Sequence, residues 1–181
     1  MSTPKLCLVI DVEATCWKDN PPSGQAVADR RGEIIEIGIT SISLPDKKIV
    51  DSESIIVWPT TTEISEFCTE LTTLTPEYVQ ENGRTFASAI HYMQSKYRTD
   101  RNMWGSWGKY DDKIFIRQCE REGVRYPFNN NYLNIKSLFA WKYGFNCRLD
   151  KALAHVDIPL DGTFHRGIDD SKNIAKILLT L

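Results

Sequence analysis

The chain has no run approaching the ~20 apolar residues of a membrane span. No signal-peptide pattern opens it either, so a cytoplasmic address is the default expectation. It lacks internal repeats, low-complexity tracts and linker-like composition, which leaves one domain over residues 1–181, long enough to bury a full core. Its five cysteines (Cys7, Cys16, Cys68, Cys119 and Cys147) form no CxxC pair. That excludes the usual zinc and disulfide frameworks and predicts reduced, mostly buried thiols. The net charge of −2 also lacks the basic excess that marks many nucleic-acid binders.

What charge there is, however, is unevenly placed. Residues 1–90 hold 7 Lys and Arg against 14 Asp and Glu, whereas residues 91–181 hold 15 against 10. Such asymmetry is compatible with a basic rim beside an acidic site, and equally with ordinary solvated charge.

The coarse pattern runs from strands to mixed helices and strands. Residues 5–14 form a short apolar run interrupted by Asp11 and Glu13, and read as a buried strand. Turn formers and charges make 18–32 a loop. Two β-rich runs, 33–43 and 49–58, flank Pro45-Asp46 and predict a hairpin. Helices are predicted over 63–70, 76–81 and 85–97, with Thr75-Pro76 as a cap and first-turn proline. A strand over 102–107, a helix over 111–122 ended by Gly123, and a short strand over 132–134 follow. Helices over 136–143, 149–155 and 168–179 complete the chain. The order predicts an α/β fold: a mixed central sheet of about five strands flanked by helices.

Three elements carry chemistry. In Asp11-Val12-Glu13 the i, i+2 spacing puts two carboxylates on one face of a strand. A second like charge at 4 Å adds about 4 kcal/mol at an effective dielectric of 20, a cost that a hard divalent cation removes. Alone, the pair fits either a cation site or an exposed strand end. The second element is His165-Arg-Gly-Ile-Asp-Asp170, where a loop histidine precedes the final helix and Asp170 lies in its first turn. Acids favour helix N-termini for dipole reasons, and His165 alone fits a capping or surface role. The third is Tyr110-Asp111-Asp112, after Trp104-Gly-Ser-Trp-Gly108; Trp104 and Trp107 read as core residues. His91 and His155 fall within helical patterns without acidic motifs beside them and read as structural.

In combination these motifs resemble the DEDDh superfamily of 3′→5′ exonucleases, and most closely its branch of enhanced-RNAi and histone-mRNA 3′-end exoribonucleases. The resemblance rests on DVEATC (11–16), NPP (20–22), EIIEIG (33–38), ISEFCTELTTLT (64–75) and HRGIDDSKNIAKI (165–177), and covers essentially the whole chain. It implies a ribonuclease H-like fold and two-metal hydrolysis with Mg²⁺ or Mn²⁺, releasing nucleoside 5′-monophosphates. Asp11, Glu13, Asp111 and Asp170 would be the metal-binding acids and His165 the general base. Asp111 is preferred to Asp112 because it directly follows the aromatic; Asp170 is preferred to Asp169 because it lies five positions after His165. The backbone of Ala14 and Thr15 would lie against the terminal nucleotide, Phe67 and Tyr110 would sandwich its base, and Leu71 would wedge beneath it. For Phe67 the reading as a packed helix residue stands beside this one. Tyr110 stands where several animal relatives have Trp, and residues 25–31 lengthen the loop after NPP. The implied partner is single-stranded nucleic acid, RNA in preference to DNA, and no membrane. A DNA exonuclease of the proofreading type and a catalytically silent scaffold are the competing readings.

Overall fold

The structure is a computed structural model that describes residues 6–18 and 32–181. The Asn20-Pro-Pro22 motif and the 25–31 insertion lie outside the described residues. Among the described residues five strands form one mixed sheet: β1 (Leu6–Ala14), β2 (Ile34–Ser43), β3 (Lys48–Ile56), β4 (Met103–Ser106) and β5 (Tyr132–Asn134). Their order is β3-β2-β1-β4-β5. β1 pairs antiparallel with β2, and β2 antiparallel with β3. β4 pairs parallel with both β1 and β5. Among the described residues seven helices surround the sheet: α1 (Glu66–Thr72), α2 (Pro76–Asn82), α3 (Phe86–Tyr97), α4 (Tyr110–Glu122), α5 (Ile135–Tyr143), α6 (Leu149–His155) and α7 (Gly167–Leu178). None of the described helices is long and apolar enough to cross a membrane.

The period of two in β1 divides the molecule. Leu8, Ile10 and Val12 pack with Phe86, Ile90 and Met93 of α3 and Phe115 of α4. Val9 packs on the opposite face with Ile135 of α5 and Ile174 of α7. Asp11 and Glu13 continue the Val9 side, so alternation alone aims both carboxylates at the α7 layer. Between β1 and α7 the backbones come unusually close. A Cβ added to Gly38 of β2 would lie 1.9 Å from the carbonyl carbon and oxygen of Gly167. One added to Gly167 would lie 3.0 Å from Asp11 O. Only glycines allow the first turn of α7 to rest on the sheet beside Asp11.

Local cap chemistry sets most helix starts. Ser65, Thr75, Thr85 and Asn134 each accept a backbone N–H three residues on. The helix expected from residue 63 therefore begins at Glu66: Ser65 Oγ accepts from Cys68 N at 3.0 Å while donating to Cys16 O at 2.6 Å. The strand expected to reach residue 58 ends at Ile56: Val57 N still donates to Ile35 O of β2 at 2.9 Å, but Val57 also turns to form a parallel bridge with Arg84. The hairpin turn is closed by the Ser43 hydroxyl, which donates to Asp46 Oδ2 at 2.7 Å.

Candidate active site

At the C-terminal end of β1 a cleft of about 310 Å³ is lined by Asp11, Glu13, Tyr110, Asp111, His165 and Asp170, among others. Three elements build it. β1 contributes Asp11 and Glu13 through its pleat. The first turn of α4 contributes Asp111, whose Oδ1 accepts from Val12 N at 3.0 Å and so ties the helix start to β1. The first turn of α7 contributes Asp170, whose Oδ2 accepts from His165 N at 2.8 Å. That last bond explains the five-residue spacing: the carboxylate folds back onto the loop and fixes His165 in a left-handed conformation, φ 62°. Such a conformation is costly for a β-carbon-bearing residue and is held here by its surroundings. Ligand atoms of Glu13, His165 and Asp170 lie within 4.8 Å of one another.

The electrostatics are those of a crowded acidic site. Burial, reinforced by Asp111, Glu13 and Asp170, holds Asp11 well above the ordinary carboxylate range. Glu13 is pushed up to about 8 by burial and then by Asp170, Glu36 and Asp111. Burial raises Asp170 to about 7 against the opposing His165 N–H, and Asp111 to about 6 against the Val12 N–H. His165 is half-buried, and burial followed by the charge of Arg148 holds its imidazole below the usual histidine range, favouring the neutral base. Asp170 Oδ1 is buried without a hydrogen-bond partner among the described residues. An orphaned carboxylate oxygen among hard oxygen donors of like charge fits a divalent cation.

The neighbouring acids point elsewhere. Asp112 accepts from the Tyr126 hydroxyl at 2.7 Å and from Lys109 Nζ at 3.1 Å. Asp169 accepts from Thr163 N at 2.9 Å and holds the loop before α7. Tyr110 is exposed at the cleft wall. Thr15 is buried, with its hydroxyl accepting from Glu33 N at 2.9 Å, and Ala14 O receives the Cys68 thiol at 3.6 Å. Phe67 and Leu71 are half-buried one turn apart on α1, join none of the buried apolar clusters and do not line the cleft. Trp104 is a core residue stacked on Phe128 at 4.0 Å, whereas Trp107 packs on Phe139 and also lines the cleft.

Sequence reasoning missed Glu36. It is fully buried in register with Glu13, and its carboxylate accepts from Gly167 N at 2.9 Å, Arg166 Nε at 3.1 Å and the Ser54 hydroxyl at 2.5 Å. The signal was present: a single acid among Ile34, Ile35 and Ile37 in a wholly buried strand. Lys136, Arg148 and Phe164 also line the cleft and were not anticipated.

Carboxylates from a central strand and from two helix starts, with a histidine beside them, define a metal-type phosphodiester-cleaving site on a ribonuclease H-like sheet. The chain belongs to the exonuclease family, whose pattern matches residues 8–178. It is 28% identical over 194 residues to the 3′-5′ exonuclease Snipper of Drosophila melanogaster, covering 94% of this chain and 67% of that one. It is 30% identical over 187 residues to the 3′-5′ exoribonuclease 1 of Homo sapiens, covering 96% of this chain and 51% of the relative. The chain thus spans only about half the length of that exoribonuclease. The solved nuclease domain of 3′hExo, a DEDDh family member bound to rAMP, superposes with a TM-score of 0.83 at 29% identity, covering 99% of this chain and 92% of that one.

Proposed function

We propose that the protein is a 3′→5′ exoribonuclease that trims single-stranded RNA to nucleoside 5′-monophosphates. The observation that carries this reading is the convergence of Asp11, Glu13, Asp111, Asp170 and His165 in one cleft. The four carboxylates would hold two divalent cations, Mg²⁺ or Mn²⁺, which when bound neutralise phosphate charge and activate water. Neutral His165 takes the proton from the attacking water, and its strained backbone, fixed by Asp170, aims the ring into the cleft. Tyr110 offers a ring face to the terminal base, and Phe67 and Leu71 offer apolar surface on α1. Stacking of this kind is worth about 1–3 kcal/mol per base and tolerates any sequence. The backbone at Ala14 and Thr15, clamped between β2 and α1, gives the terminal nucleotide a rigid seat. RNA is favoured over DNA by the names of the exoribonuclease relatives.

The test is digestion of a 5′-labelled single-stranded RNA and its DNA counterpart with Mg²⁺, with Mn²⁺ and with EDTA, beside the Asp11→Ala variant. The expected result is a cation-dependent ladder shortening from the 3′ end, faster on RNA and at least about a thousandfold slower in the variant. Faster digestion of DNA would reassign the substrate. No shortening of either strand with any cation would overturn the enzyme reading.

A further inference from the structure

A second concavity, of about 590 Å³, lies between the C-terminal half of α3 and the segment after α4, and shares no lining residue with the catalytic cleft. Three arginines, Arg98, Arg101 and Arg125, line it together with His91. Against them stands one carboxylate, Asp100, 3.6 Å from Arg101. Arg98 and Arg125 enter no ion pair among the described residues.

The groove is firmly framed. Arg98 ends α3 in a left-handed conformation, φ 52°, and its carbonyl accepts from Arg101 N at 2.8 Å and Asn102 N at 2.9 Å. That turn buries Thr99 while leaving Arg98 and Arg101 exposed. The Thr99 hydroxyl donates to Pro127 O at 2.9 Å, and Asn129 Nδ2 donates to Asn102 O at 2.9 Å. These two bonds stitch together the segment that carries Arg98 and Arg101 and the segment that carries Arg125. Tyr126 lines the groove and donates its hydroxyl to Asp112, so this wall is anchored to the α4 turn that carries Asp111. Gln94, Ser95 and Asn129 add neutral hydrogen-bond donors.

We propose that this groove binds the phosphodiester backbone of the nucleic-acid strand whose 3′ end occupies the cleft, a reading that rests on the exonuclease function above. Cations gathered in one concavity repel one another, and an anion relieves that repulsion. Within the cleft, Lys136, Arg148 and the cations held by the carboxylates would serve the terminal phosphates, whereas this separate basic surface would attract the strand farther from its 3′ end. Cations on two walls, spread across a volume larger than the catalytic cleft, suit several consecutive phosphates better than one.

The test measures binding of a 5′-fluorescent 20-nucleotide RNA in EDTA by anisotropy over a salt series. It compares wild type with the Arg98→Gln/Arg101→Gln/Arg125→Gln variant and with Asp100→Asn, and adds inorganic phosphate as a competitor. Each neutralised phosphate contributes about 0.7 to the slope of log affinity against log salt for single strands. The triple variant should therefore lose about 2 from that slope and bind at least about tenfold more weakly at low salt. Asp100→Asn should bind more tightly than wild type. Wild-type and triple-variant digestion of a dinucleotide with Mn²⁺ should be equal, because no groove residue lines the cleft. An unchanged slope overturns the groove proposal even if the dinucleotide is cut. A reduced slope without any digestion upholds the groove and overturns the exonuclease reading. Displacement of the long strand by millimolar phosphate would make this a small-anion site and overturn the proposal.

Discussion

At the scale of single residues, loss of Glu36 reaches both stability and chemistry. It lies beside Glu13 in the β1–β2 register, and its carboxylate grips Arg166 and the Gly167 N–H at the start of α7. Removing one partner of a buried ion pair costs several kcal/mol. Because the Arg166 side chain is 23% exposed, water recovers part of this. Glu36→Gln should cost about 2–4 kcal/mol, seen as a lower denaturation midpoint in urea. It should also cut kcat more than it raises KM, since the displaced turn carries Asp170 and His165. A midpoint equal to wild type would remove the positioning role. The same scale shows what the sequence made readable. Asp11 and Glu13 were legible because strand alternation needs no tertiary information. Motif spacing alone favours Asp111 over Asp112 and Asp170 over Asp169, and the bonds of Asp112 to Tyr126 and of Asp169 to Thr163 occupy the two disfavoured acids elsewhere. The first partner is 14 residues distant, and no local pattern announces it.

At the scale of elements, the docking of α7 on β2 decides whether the acids from two layers meet. Gly38→Ala tests it directly. The new methyl would enter the Gly167 peptide, and backbone cannot swing aside as a side chain does. Overpacking of this kind costs about 1–3 kcal/mol or more. The expected outcome is a lower midpoint together with weakened Mn²⁺ binding by calorimetry, because Asp170 retreats from Asp11 and Glu13. Lost stability with unchanged Mn²⁺ affinity would show that α7 does not set the site. Helix and strand identities were legible wherever caps and periodicity agreed, as at Thr75-Pro76 and at Gly123, which ends α4 at φ 64°. The start of α1 and the end of β3 were displaced because Ser65 bonds Cys16 O and Val57 bridges Arg84, both contacts between distant segments.

For the whole molecule, opposed groups of carboxylates give stability a defined dependence on pH. Burial would raise Glu33, but hydrogen bonds from Thr62, Thr60 and Thr61 outweigh it and hold the carboxyl at about 2. Its folded value is depressed, so its contribution is present above the ordinary value of 4.5 and is lost as pH falls from there through about 2. The cleft acids have the opposite sign. Asp111 at about 6, Asp170 at about 7 and Glu13 at about 8 are raised, so their contribution is present below the ordinary carboxylate range and is lost progressively as pH rises from there, the loss being complete above the folded values of about 6 to 8. Thermal melts in EDTA should therefore peak at about pH 4 to 4.5, falling on both sides. Cations bind the deprotonated carboxylates, so Mn²⁺ should add little near pH 5 and progressively more toward pH 8. At 100 times its Kd a ligand adds about 2.7 kcal/mol, several degrees for a domain of this size. Asp11→Asn should flatten the alkaline fall in EDTA by removing one of the repelling charges, and should weaken the Mn²⁺ effect. A cation-free melting temperature that rises steadily from pH 5 to 8 would mean that neither burial nor like-charge repulsion raises the four acids in the fold.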